Sequence, residues 1–108
     1  MTTPGGNEDE MATAAAGAER TRRHVRAHGR VQGVYFRASV ADRAWSLGVD
    51  GWVRNVPDGS VEAVFDGPVE AVERMVDYCA HGPADARVEG LRVEEGPAGD
   101  LPTGFEVR

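Results

Sequence analysis

Lysine is absent from this 108-residue sequence, and all 12 basic residues are arginine. Schiff-base lysine chemistry and the lysine of a P-loop are therefore excluded. The single cysteine, Cys79, excludes an intrachain disulfide and a multi-cysteine zinc site. No run of about 18 apolar residues occurs, so no membrane-spanning helix is expected. Positive charge is in deficit: 12 basic residues face 18 acidic ones, for a net charge of −6. That balance argues against capture of nucleic acid by the chain as a whole. What is present suits one compact domain, with 41% apolar residues and a length inside the usual range of about 100–150.

Residues 1–21 differ from the rest. They hold Glu8, Asp9, Glu10 and Glu19 against one arginine, together with the Ala14-Ala15-Ala16 cluster. Such a segment buries too little surface to offset its ordering entropy, so a disordered acidic, alanine-rich tail is expected. It lacks the basic start and apolar stretch of a secretory signal, and Met11 offers an alternative start. Residues 22–108 are expected to form the domain, and no internal repeat or long low-complexity tract interrupts them.

The domain shows regular periodicity from Arg22. Val25, Ala27, Gly29 and Val31 alternate with Arg26, His28 and Arg30, which predicts a half-buried strand. Phe36, Val40, Ala44 and Leu47 recur at helical steps, and Gly48 ends that helix. Val49 to Asn55 and Ser60 to Asp66 read as strands joined through Pro57-Asp58-Gly59, a hairpin turn. A second helix opens after Gly67-Pro68, with Val69, Val72, Val76 and Cys79 as its apolar stripe, and stops at Gly82-Pro83. Ala86 to Glu94 is a fourth strand with a bulge near Gly90, and Phe105 to Val107 is a short last strand. The order βαββαβ predicts the ferredoxin-like α+β sandwich, an antiparallel sheet with two helices on one face. That fold alone does not define an activity.

Two stretches have the residue types for chemistry. Gly29-Arg30-Val31-Gln32-Gly33-Val34-Tyr35-Phe36-Arg37 joins the first strand to the first helix. Its glycines permit a sharp turn, and it feeds a helix N-terminus whose free amides and dipole favour an anion. Arg37, beside those amides, offers two donors to a phosphate group. A plain βα connection with a surface arginine is the alternative. In the second stretch, Gly51 to Val61, Asn55 sits where a strand enters the turn; its amide is both donor and acceptor and suits a bound water. Asparagine also tolerates turn dihedrals for structural reasons alone.

The first stretch, and Gly51-Trp52-Val53-Arg54-Asn55 through Asp58-Gly59-Ser60-Val61 to Gly67, resemble the two signatures of the acylphosphatase family, in order and separation. The resemblance runs from about Arg22 to Arg108. It implies hydrolysis of an acyl phosphate to a carboxylate and inorganic phosphate, without metal or cofactor. It assigns phosphoryl binding to Arg37 and water positioning to Asn55. The cradle it implies is formed by the amides of Gln32, Gly33, Val34, Tyr35, Phe36 and Arg37, which would also take phosphate or sulfate. Val56 departs from the family pattern, where some members carry threonine, and many members continue past the position of Arg108 with an aromatic residue.

Other residues are expected to be structural. His24 and His28 lie about 13–14 Å apart on a strand, too far for one metal ion. His81 near a helix end is favoured there as a cation. Cys79 fits a small core residue and not a nucleophile. Trp45 and Trp52 fit packing, Asp58 belongs to the turn, and Arg30 and Arg54 fit solvated strand positions. The alternative function is a non-catalytic ferredoxin-like module binding a protein, an anion or RNA. The first strand presents Val25, Ala27 and His28 where RNA-binding sandwiches show aromatics. A domain detached from a larger maturation enzyme is a second alternative, although that enzyme's zinc-finger cysteines are absent. A cytoplasmic monomer without nucleic-acid or membrane partners completes the expectation.

Overall fold

The computed structural model describes residues 19–99 and 101–108. Seven elements follow in order: β1 (Arg20–Arg30), α1 (Phe36–Leu47), β2 (Asp50–Asn55), β3 (Val61–Pro68), α2 (Val69–His81), β4 (Arg87–Gly96) and β5 (Phe105–Val107). They form one sheet in the order β4-β1-β3-β2-β5. The first four strands pair antiparallel, and β5 adds to β2 in parallel. This is the ferredoxin-like sandwich that the periodicity predicts, extended by one short parallel edge strand.

Alternation along the strands separates two faces. Val25 and Ala27 of β1, Val53 of β2, Ala63 and Phe65 of β3 and Phe105 of β5 enter one core. The same core takes Phe36, Val40 and Ala44 from α1 and Val72, Met75 and Cys79 from α2. Phe65 and Phe105 stack with centroids 5.8 Å apart, which fastens the short β5 to the sheet. Burying a large apolar side chain such as Phe65 or Met75 stabilises the fold by about 1.5–3 kcal/mol each. Met75 was absent from the expected stripe of α2, whereas Val69 and Val76 prove half-buried. The core lies slightly to one side of the predicted stripe because α2 meets β1 and β4 as well as β3.

The other face bears Arg22, His24 and Arg26 of β1 beside Glu62 and Asp66 of β3. Asp66 is buried and accepts from Arg22 Nε (3.2 Å) and from the Gly99 amide (3.0 Å). Arg20 lies 3.6 Å from the same carboxylate and 3.7 Å from Asp50. These contacts, with main-chain pairing to Pro68, make Arg20 and Thr21 the first residues of β1. Of the expected tail of residues 1–21, Arg20 and Thr21 belong to β1, and residues 1–18 lie outside the described residues. The expected bulge falls one residue from Gly90. His28 pairs with Gly90 and Gly29 with Val88, so Glu89 is the extra residue of β4.

Gly51 shows how closely the strands approach. Its φ is +134°, and a Cβ there would lie 1.9 Å from the Val64 carbonyl oxygen. Gly51→Ala is expected to destabilise the domain by about 3 kcal/mol or more, through backbone strain and a main-chain clash. The check is the denaturant midpoint at unchanged m-value; a midpoint equal to wild type would show that β2 shifts freely.

Candidate active site

The loop between β1 and α1 is held from beneath. Val31 and Val34 are buried, and the Gln32 side chain donates to the carbonyls of Val56 (2.7 Å) and Ser60 (2.8 Å). Gln32 thus ties this loop to the β2–β3 turn and fixes one stretch against the other. Its side chain is occupied, so its part in the cradle rests on its main chain. The turn is locked independently: the Asp58 carboxylate accepts from the Ser60 amide (2.9 Å) and hydroxyl (2.6 Å). These bonds hold the exposed Asp58 carboxyl below its usual range. Val56, where a threonine hydroxyl is missing, serves through its main chain, its amide donating to Ser60 (2.9 Å) and its carbonyl accepting from Gln32.

The loop then turns into α1 in an unusual conformation. Gly33 has φ +76° and Tyr35, at the N-cap, has φ +65°; Tyr35 is the only described non-glycine residue with positive φ. A left-handed tyrosine costs about 1–3 kcal/mol and persists where the surroundings over-determine it, commonly at binding sites. Tyr35 provides no side-chain cap. The Ser39 amide bonds Tyr35 O at 3.0 Å. The amides of Gly33 and of Tyr35, Phe36, Arg37 and Ala38 make no hydrogen bond among the described residues. A Cβ at Gly33 would meet nothing within 4 Å, so the loop faces open space there. Unpaired amides at the positive end of α1 form a setting for an anion.

Arg37 is the second residue of α1, and its guanidinium is aimed by Nη1, which donates to the main-chain oxygen of Arg108 (2.8 Å). Its Nε and Nη2 have no partner among the described residues, which leaves one two-donor edge free. Asn55 is the last residue of β2, paired with Val61, and its side-chain amide makes no hydrogen bond among the described residues. Arg37 and Asn55 line one cavity of about 430 Å³ with Gly33, Tyr35, Phe36 and Val107. A second cavity of about 660 Å³ adjoins it, lined by Arg37 and Asn55 again with Trp52, Arg54, Glu62 and Arg108. The structure thus brings Arg37, Asn55, Gly33, Tyr35 and Phe36 together. Val34 faces the core and Gln32 the turn, so both support the loop from below.

Arg54, read as an ordinary strand position, stands in this second cavity together with Arg108. Arg54 Nε donates to Glu62 Oε1 (2.6 Å), and its guanidinium lies 5.9 Å from the Trp52 ring. Arg108 approaches the same ring at 4.9 Å. Sequence alternation puts Arg54 and Trp52 on the open face, but only the register with β3 shows Glu62 opposite Arg54. His24 Nε2 also donates to Glu62 (2.5 Å), while Arg30 is exposed as expected. Burial raises the Glu62 carboxyl, but the bonds from His24 and Arg54 outweigh it and leave the group below its usual range.

Glu62 and Asp58 are both held below their ordinary values of 4.5 and 3.8. Carboxyls lowered in the folded state add stability above the unfolded pKa and lose it as pH falls through the folded one. The unfolding midpoint is expected to drop from about pH 5 downward, and Glu62→Gln to flatten that slope. Thermal scans between about pH 3 and pH 7 check this; an unchanged slope in the variant would contradict it.

The remaining expectations resolve simply. Cys79 is buried, and burial pushes its thiol up to about 12, which suits a core residue and not a nucleophile. Trp45 is exposed, but its Nε1 donates to the Phe105 carbonyl (2.9 Å) and joins α1 to β5. His81 bonds the Asp77 carbonyl at the end of α2. No group of three potential metal ligands occurs among the described residues, and none of their helices is long and apolar enough to cross a membrane.

Comparison with known proteins identifies relatives of the whole domain. The acylphosphatase family model matches residues 23–107. The chain is 58% identical over 92 residues to an acylphosphatase of Rubrobacter xylanophilus, covering 84% of each chain. It superposes on an acylphosphatase from Coxiella burnetii with a TM-score of 0.77 and 37% identity, covering 82% of this chain and 93% of the other. It also matches the Bacillus subtilis acylphosphatase crystal structure, with a TM-score of 0.78, 31% identity, and coverage of 82% and 98%. With its sandwich fold and with both signatures meeting at one cavity, the chain belongs to the acylphosphatase family.

Proposed function

We propose that the cavity between the Gly33–Arg37 loop and Asn55 is where this family member hydrolyses acyl phosphates, without a metal ion. The observation that supports the site is the convergence of three unengaged groups on one cavity: the loop amides, the free edge of Arg37 and the Asn55 amide. The phosphoryl group occupies the cradle, as phosphate or sulfate does in its absence. The amides and Arg37 neutralise its equatorial oxygens, where charge accumulates in a loose transition state.

Asn55 holds a water in line with the carboxylate leaving group. The water oxygen bonds to phosphorus as the bond from phosphorus to the acyl oxygen breaks. The electron pair leaves with the carboxylate, and one water proton passes to a phosphoryl oxygen. The products are R–COO⁻ and H₂PO₄⁻. A mixed anhydride has a good leaving group, so no general acid is needed. No carboxylate or imidazole lines the first cavity, and the substrate's own oxygen takes the proton. The chain's net charge of −6 is screened over about 8 Å at physiological salt, so the groups in contact with the substrate dominate. The protein acts in this reading as a monomer in the cytoplasm, where its lone, buried thiol stays reduced.

The test is phosphate release from benzoyl phosphate in EDTA by wild type, Arg37→Ala and Asn55→Ala, each first shown folded by circular dichroism. Turnover in wild type and its loss in both variants is the expected result. A folded wild type without turnover would favour a non-catalytic binding module, and turnover retained in both variants would place the reaction elsewhere.

A further inference from the structure

We infer that the second cavity receives the acyl group, and that Arg54 and Arg108 select acyl phosphates whose acyl part ends in a second anionic group. This rests on the acyl-phosphate reading of the first cavity. The loop residues Gly33, Tyr35 and Phe36 line the first cavity and not the second, so the phosphoryl group belongs there. The second cavity shares only Arg37 and Asn55 with it and opens along Trp52 to Arg54 and Arg108. Whatever is joined to a phosphoryl group held by Arg37 has this space to enter.

The chemistry of the second cavity is specific. Glu62 is the one acidic side chain lining it, and it is already bonded to Arg54 Nε and His24. The Nη groups of Arg54 make no hydrogen bond among the described residues. The Arg108 side chain is bonded through Nε, to Glu106 at 2.9 Å, and its Nη groups make no hydrogen bond among the described residues. Two guanidinium groups thus flank the Trp52 ring with free donors, beside a flat apolar surface. That arrangement fits a short or planar acyl spine lying along the indole with a terminal carboxylate or phosphate on the arginines.

The probes are benzoyl phosphate and 4-carboxybenzoyl phosphate, which share a leaving-group skeleton and differ by one distal carboxylate. Wild type is expected to show a kcat/KM about 10-fold higher for the carboxylated probe, the scale of one charge-assisted hydrogen bond in a partly exposed site. The ratio should shrink as salt is raised. It should fall toward one in Arg54→Gln and, independently, in the exposed Arg108→Gln, which keeps the test valid if the first variant folds poorly. Terephthalate should likewise inhibit more strongly than benzoate in wild type. Equal kcat/KM for both probes in an active wild type would overturn this inference and leave the hydrolase reading standing. Hydrolysis of neither probe would overturn both.

Discussion

Replacing Arg37 with alanine is expected to lower kcat/KM for an acyl phosphate by about 10³ or more. Loss of a single preorganised donor in a site of this kind costs about 10²–10³, and Arg37 presents a two-donor edge and a full charge. Its guanidinium is already aimed by the bond to the Arg108 main chain, so little ordering is needed when substrate binds. Arg37→Lys should remain impaired by about 10², because an ammonium keeps the charge but not the planar fork. The fold should survive, since Arg37 is only half-buried and lies outside the core. Steady-state kinetics beside a thermal melt separate these effects. A lysine variant close to wild type in rate would refute the two-donor role.

Asn55→Ala is expected to remove about 10²–10³ from kcat with little change in KM, because in the proposed mechanism the amide acts on the water and not on the phosphoryl group. The Asn55 side chain makes no hydrogen bond among the described residues, so its loss orphans nothing in the fold. Asn55→Asp should also be poor, since a carboxylate cannot donate and repels the anionic substrate. A rise in KM at constant kcat would instead make Asn55 a substrate-binding group.

Much of this architecture is legible because it is written in periodicity. The alternation around Val25 and Ala27 and the helical spacing of Phe36, Val40 and Ala44 each reflect one dominant burial face. Arg37 and Asn55 were legible differently, through the resemblance of their flanking motifs, since neither stretch alone separates a site from a structural turn. What was hidden depends on contacts distant in sequence. Arg20 joins β1 only because Asp50 and Asp66 meet it. Met75 reaches the core because α2 packs across three strands. The parallel pairing of β5 with β2 rests on Phe105 stacking on Phe65, which three residues of sequence cannot announce. The left-handed Tyr35 breaks a local rule in a way no propensity suggests, and such breaks concentrate at functional sites. Arg54 read as a solvated strand residue because its meaning comes from Glu62 across the hairpin.

The most direct test of the central claim is a single turnover of an acyl phosphate in H₂¹⁸O with EDTA present, followed by mass analysis of both products. Attack by the Asn55-held water at phosphorus places the label in inorganic phosphate and leaves the carboxylate unlabelled. Label in the carboxylate would mean attack at the carbonyl carbon, and the roles given to the cradle, Arg37 and Asn55 would not stand.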